Sequence, residues 1–166
     1  CEGGPVRPLF PLLMWEVLFA DVGDAFLCPY QDAPLDLDSR GEFAARRAML
    51  IAQRTRAIAN MTRAQLRGEV VSRYHKYEGV CARGCPWGRV SPAFLALVAC
   101  CIGPRPLARA LRAMCADFKH LGGGMPDLLL WRVRCRRSGR VVEVDMGQMP
   151  QEARHPLAHL VEMPDV

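Results

Sequence analysis

Apolar residues crowd the start of the chain at a spacing that leaves almost no polar face. Leu9, Phe10, Leu12, Leu13, Val17 and Leu18 predict a buried helix over residues 7–19. Pro8 fits its first turn, and Pro11 would cost a hydrogen bond if it lay deeper. From Ala20 to Gly41 the pattern gives way to Asp, Gly and Pro, which predicts a long ordered loop. Loops of that length inside a domain are usually functional. Helical spacing returns over Glu42 to Ala59, with Phe43, Ala44, Met49, Leu50 and Ile58 on the apolar side. Thr62-Arg63-Ala64-Gln65 has the form of a capping box and starts a helix towards Tyr77. Gly79, Gly84, Pro86 and Gly88 mark a loop from Glu78 to Arg89, after which Ser91-Pro92 caps a helix that stops at Gly103-Pro104. A further helix runs from Leu107 to about His120 and ends at Gly122 to Gly124, and Gln151 to Val161 reads as a short one.

After Gly124 the period changes. Pro126-Asp127 enters the apolar strand Leu128-Leu129-Leu130-Trp131, and Val141-Val142-Glu143-Val144-Asp145 reads as a second strand. Alternation puts Glu143 and Asp145 on one face and Val142 and Val144 on the other. With the charged, Gly-ended stretch 132–139 read as a loop centred on Cys135, antiparallel pairing would set Asp127 opposite Glu143. Three carboxylates would then meet at the lip of a small sheet, an oxygen-rich arrangement that suits Mg²⁺ or Mn²⁺. The plainer alternative is a hairpin with solvated carboxylates at its mouth.

Composition narrows the picture. At 166 residues, 51% of them apolar, the chain is long enough for one domain with a real core, and it begins on Cys1 as a piece of a longer protein would. Its apolar runs fall short of the roughly 18 residues a membrane helix needs, so no membrane partner is expected, and its start does not read as a signal peptide. The net charge is only +5, but Lys76 and Lys119 are the sole lysines among 22 basic residues. Arginine's fork suits phosphate oxygens, although GC-rich coding would give the same bias. Eight cysteines suggest reduced thiols in an intracellular protein. Cys81 and Cys85 could be combined with His155 and His159 into a zinc site only across a long stretch of chain.

Pro126-Asp127…Glu143-Val144-Asp145 resembles the PD-(D/E)xK nuclease motif. Ala116-Asp117-Phe118-Lys119-His120-Leu121-Gly122-Gly123-Gly124-Met125-Pro126-Asp127 is similar to the core of the Fanconi-associated nuclease family, its virus-type replication-repair nuclease (VRR-NUC) domain. Glu2-Gly3 and Leu9 to Glu16 resemble that domain's opening helix. Asp24-Ala25-Phe26, Tyr30-Gln31 and Pro34-Leu35-Asp36-Leu37 resemble the loop that follows, all in the family's order.

The resemblance implies an α/β fold: a restriction-endonuclease-like core with a small mixed sheet flanked by helices, helical in its N-terminal two thirds. One VRR-NUC domain would span residues 1–166, its C-terminal end incomplete or divergent. It implies a nuclear, metal-dependent hydrolase that cuts branched or flap DNA after DNA damage, in repair such as interstrand crosslink processing. Repair-protein partners would bind through other regions. Glu2, Asp127 and Glu143 would be Mg²⁺ or Mn²⁺ ligands, with the Val144 carbonyl assisting and Gln31 setting the site. Arg132, Arg134, Arg136, Arg137 and Arg140 would hold DNA phosphates, against the plainer reading of a solvated hairpin tip. Asp145 stands where the family has its catalytic lysine, and Met146-Gly147-Gln148-Met149-Pro150 departs from the family's continuation. Asp145 would be a base or metal ligand, or else the chain is a catalytically inactive DNA-binding or scaffolding remnant.

Overall fold

The computed structural model of the chain describes residues 6–85 and 87–123 and, for 132–137 and 140–145, the backbone. The chain divides into two units, residues 1–125 and 126–166.

Within the first unit the predicted opening helix is two short ones, α1 (Leu9–Leu13) and α2 (Trp15–Leu18). Pro11 lies in the first turn, where a missing N–H costs nothing. Leu9, Phe10, Leu12, Leu13, Met14, Val17 and Leu18 are all buried, as the all-round apolar pattern requires. At Met14 the backbone leaves helical geometry and Val17 N–H bonds to Met14 O instead of reaching back to Leu13. Two arginines serve the carbonyls this frees. Arg54 Nε donates to Leu13 O at 2.6 Å, and Arg73 Nη1 to Leu12 O at 3.3 Å. Arg73 also binds Glu16 and Glu69, and Arg54 shares Glu69 at 2.7 Å. The break is thereby tied to the two helices behind it, α4 (Ala48–Ala59) and α5 (Arg63–Tyr77).

The predicted helix over 42–59 is likewise broken, into α3 (Glu42–Arg46) and α4, at Arg47. Successive helical residues point about 100° apart. An unbroken helix would keep Arg46 and Arg47 from converging, and the break lets both reach Oδ2 of Asp36, at 3.2 Å and 2.7 Å. Asp36 lies in a 3₁₀ turn, Leu35–Asp38, the one ordered element within the predicted loop. Both Asp36 and Arg47 are buried, and the Arg47 guanidinium sits 4.4 Å from the centre of the Phe43 ring.

Helix α5 starts at its capping box, with Thr62 and Gln65 exchanging both hydrogen bonds. Ser91 caps α6 (Pro92–Ile102). That helix stops at Gly103, as expected, and α7 (Pro104–Ala116) opens at Pro104, earlier than the expected Leu107, because proline is at home in a first turn. Asp117 leaves helical geometry, and its carboxylate accepts from His120 N–H to start α8 (Phe118–Gly123). The core forms where α5 packs on α6, α4 on α7 and α1 on α5.

In the second unit β1 (Arg132–Arg137) pairs antiparallel with β2 (Arg140–Asp145). This corrects the expected fold class. Among the described residues there is no mixed sheet flanked by helices: the first unit is helical and closes its core helix on helix, and the strands form one antiparallel ribbon. The stretch 132–137, read as a loop for its charge, is a strand because Arg132, Arg134 and Arg136 alternate with Val133 and Cys135.

Two stability outcomes follow from these ties. Asp36→Leu should cost about 3–5 kcal/mol in urea unfolding by stranding a buried guanidinium, and adding Arg47→Met should recover most of the loss. The second concerns pH. Burial would raise the Glu69 carboxyl, but the hydrogen bonds and charges of Arg73 and Arg54 outweigh it and hold the group below its ordinary 4.5. Its contribution is present above that value and lost as pH falls through the lowered one. Glu69→Gln should cost about 1 kcal/mol at pH 7, discounted for solvent screening, and the gap should close in acid urea melts.

Candidate functional site

Gln31 sits in the 20–41 loop, between an exposed tip and a firmly tied base. Its side-chain Oε1 accepts from the backbone N–H of Leu27 and, at 3.0 Å, from that of Cys28. With that oxygen engaged, the group left to face a ligand is the amide NH₂, a donor. Gln31 therefore suits an anionic oxygen, not a cation.

The loop around it is fastened from two sides. On one, Arg46 donates to Gly23 O and to Asp36, while Leu35 N–H bonds to Ala25 O at 2.9 Å. On the other, Arg83 spans two carboxylates. Its Nη1 meets Asp38 at 2.7 Å, its Nη2 meets Asp32 at 3.2 Å, and its own backbone N–H donates to Asp32 O at 2.8 Å. Burial alone would lower the Arg83 guanidinium, but the hydrogen bonds and charges of Asp32 and Asp38 raise it instead. Arg83 escaped the sequence reading because its partners lie 45 and 51 residues away.

In the ribbon, the register sets Glu143 opposite Arg134 and Asp145 opposite Arg132. The expected pairing of Asp127 with Glu143, centred on Cys135, is corrected: only Ser138 and Gly139 lie between the strands, so the centre of pairing falls later. By backbone register Val133, Cys135, Val142 and Val144 share one face, and Arg132, Arg134 and Arg136 share the other with Glu143 and Asp145. Arg137 pairs with Arg140 beside the turn, so the five arginines read as a loop cluster stand on strands.

Glu2 and Asp127 lie outside the described residues, as do His155 and His159 of the zinc alternative. Among the described residues no three His, Cys, Asp or Glu side chains group as a metal site. Burial pushes the Cys85 thiol up to about 12, which disfavours the thiolate a zinc ligand requires. Also among the described residues, no single helix is long and apolar enough to cross a membrane.

The VRR-NUC domain family model matches residues 61–146. A Fanconi-associated nuclease 1 homolog of Oryza sativa subsp. japonica is 37% identical over 86% of the chain and 15% of its own length. Fanconi-associated nuclease 1 of Homo sapiens is 36% identical over 86% of the chain and 14% of its own. The chain thus spans about one seventh of these relatives. A crystal structure of paFAN1 bound to 2-nucleotide 5′-flap DNA with gap matches with a TM-score of 0.63 and 29% identity, over 76% of the chain and 22% of that one.

Arg83→Met should release the loop without disturbing the helices. Amide exchange at Leu35 should quicken about tenfold, the equivalent of roughly 1.4 kcal/mol, while Val70 and Tyr74 in α5 keep their rates.

Proposed function

As the chain belongs to the VRR-NUC domain family, we propose that it is the nuclease module of a Fanconi-associated nuclease, hydrolysing phosphodiesters of branched or flap DNA during repair. The observation that carries this reading is its likeness to a relative held on 5′-flap DNA. Crosslink processing in the nucleus is the setting such a module fits.

A phosphodiester resists hydrolysis because its anionic oxygens repel an incoming hydroxide. Glu2, Asp127 and Glu143, with the Val144 carbonyl, are the residues that would hold Mg²⁺ or Mn²⁺, and an all-oxygen donor set suits either ion. When bound, such an ion offsets the phosphate charge, acidifies a water and stabilises the leaving oxygen. Gln31, its oxygen turned inward, presents its amide hydrogens to a phosphate oxygen and helps to orient it. Arg132, Arg134, Arg136, Arg137 and Arg140 supply charge to the DNA backbone without reading sequence.

Asp145 cannot do what a lysine does there, since a carboxylate repels phosphate. Two roles remain to it: taking a proton from the attacking water, or holding metal. That substitution also favours a second reading, a DNA-binding module without catalysis.

Cleavage of labelled 5′-flap DNA with Mg²⁺ or Mn²⁺ separates the two. We expect activity in the parent chain, lost in Asp127→Ala and Glu143→Gln. Asp145→Lys should raise it roughly 10²–10³-fold where the missing cation beside the phosphate limits cleavage, and should lower metal affinity and activity together where Asp145 holds metal. Mn²⁺ should also raise the melting temperature of the parent but not of Asp127→Ala. Absence of cleavage in both the parent and Asp145→Lys, with binding of the flap DNA retained, would favour the second reading instead.

A further inference from the structure

We propose that Arg105, Arg109 and Arg112 on α7, continued by Arg63 on α5, form a rail in the first unit for the phosphate backbone of duplex DNA. The row rests on spacing first. Positions i, i+4 and i+7 fall on one side of a helix. The opposite side of α7, Leu107, Ala108, Leu111, Met114 and Cys115, is buried, which fixes the arginines outward, and all three are exposed. Arg63 is exposed as well, and a carbon placed on Gly103 at the start of α7 would lie 3.9 Å from its Nη2.

Charge segregation is the second observation. Arg46, Arg47, Arg54, Arg73 and Arg83 each meet a carboxylate. Arg63, Arg105, Arg109 and Arg112 form no ion pair among the described residues, and the sequence holds no Asp or Glu at all between Glu78 and Asp117. Like charges at helical neighbours cost a few tenths of a kcal/mol each. Among the described residues no carboxylate offsets that cost, and an external polyanion would.

Geometry and composition then choose the polyanion. Seven residues of helix rise about 10 Å. Along its helical path one DNA strand sets neighbouring phosphates roughly 7 Å apart, about twice its 3.4 Å axial advance, so the row spans about two of them. A protein partner would want an apolar anchor at the centre of its contact. The exposed large apolar side chains, such as Leu27, Tyr30, Met49 and Leu121, lie elsewhere, and none is on α7. The contact is with backbone, so it carries no sequence preference.

The inference rests on DNA being the substrate, and its test is binding in EDTA, where cleavage plays no part. Anisotropy of a fluorescein-labelled duplex, titrated with the 166-residue chain across a salt series, should show tenfold or greater weakening in Arg105→Gln/Arg109→Gln/Arg112→Gln. The loss should be uniform across sequences, and the slope of log affinity against log salt should fall by about 2–3. The triple lysine variant should keep the parent slope, because each position retains its charge. If the glutamine variant melts early, Arg109→Gln alone should still lower the slope by about one. Unchanged affinity and slope would overturn the rail while leaving any nuclease activity standing. A larger loss of poly-glutamate binding than of duplex binding would overturn it in favour of an acidic protein partner. Loss of duplex binding in a chain that never cleaves would support the rail and defeat the catalytic reading alone.

Discussion

A buried carboxylate holds the loop on which the candidate site depends. Asp36 receives Arg46 and Arg47 on one oxygen, and that convergence requires the helix to break between α3 and α4. A long irregular segment carries backbone groups that no ladder satisfies, so its shape must come from side chains. Asp36 draws the loop onto the helices from one side, and Arg83 holds it through Asp32 and Asp38 from the other. Gln31 directly precedes the Asp32 anchor, with its own oxygen folded back on Leu27 and Cys28. Charge and apolar burial order the loop together, since Ala25, Ala33 and Leu37 are buried beside Asp36.

The same device recurs at Met14. There the helix break frees two carbonyls, and Arg54 and Arg73 reach across from α4 and α5 to take them. In both places one planar, preorganised arginine fork serves a carboxylate and a carbonyl together. Part of the arginine bias, readable in the sequence as phosphate affinity or coding bias, is therefore structural.

Legibility of the fold followed the range of the interactions. Helix α5 was readable to the residue because its capping box is local, and α6 because Ser91-Pro92 is. The breaks at Met14 and Arg47 were not readable, since their causes lie in distant partners such as Asp36 and Glu69. The break at Asp117 had a local signal in the N-cap preference of aspartate, masked by the apolar spacing that runs through it. In the ribbon, charge obscured period: Arg-Val-Arg-Cys alternates as a strand should, and its register follows from which residues can share a face. Of the candidate site, the resemblance pointed to Gln31, but its free amide donor was not readable, because that depends on which atom the backbone claims.

Assigning the internal ties to arginine has a consequence for how the protein can be modified. Lys76 and Lys119 are the only lysines in the chain, both are exposed, and neither forms an ion pair among the described residues. Acetylation, which cancels charge on lysine, thus has two surface targets and reaches none of the contacts that hold the loop or the helix breaks. The arginine ties that shape this protein lie beyond lysine acetylation, which among the described residues meets the fold where the Lys76 ammonium sits 5.0 Å from the centre of the Tyr77 ring.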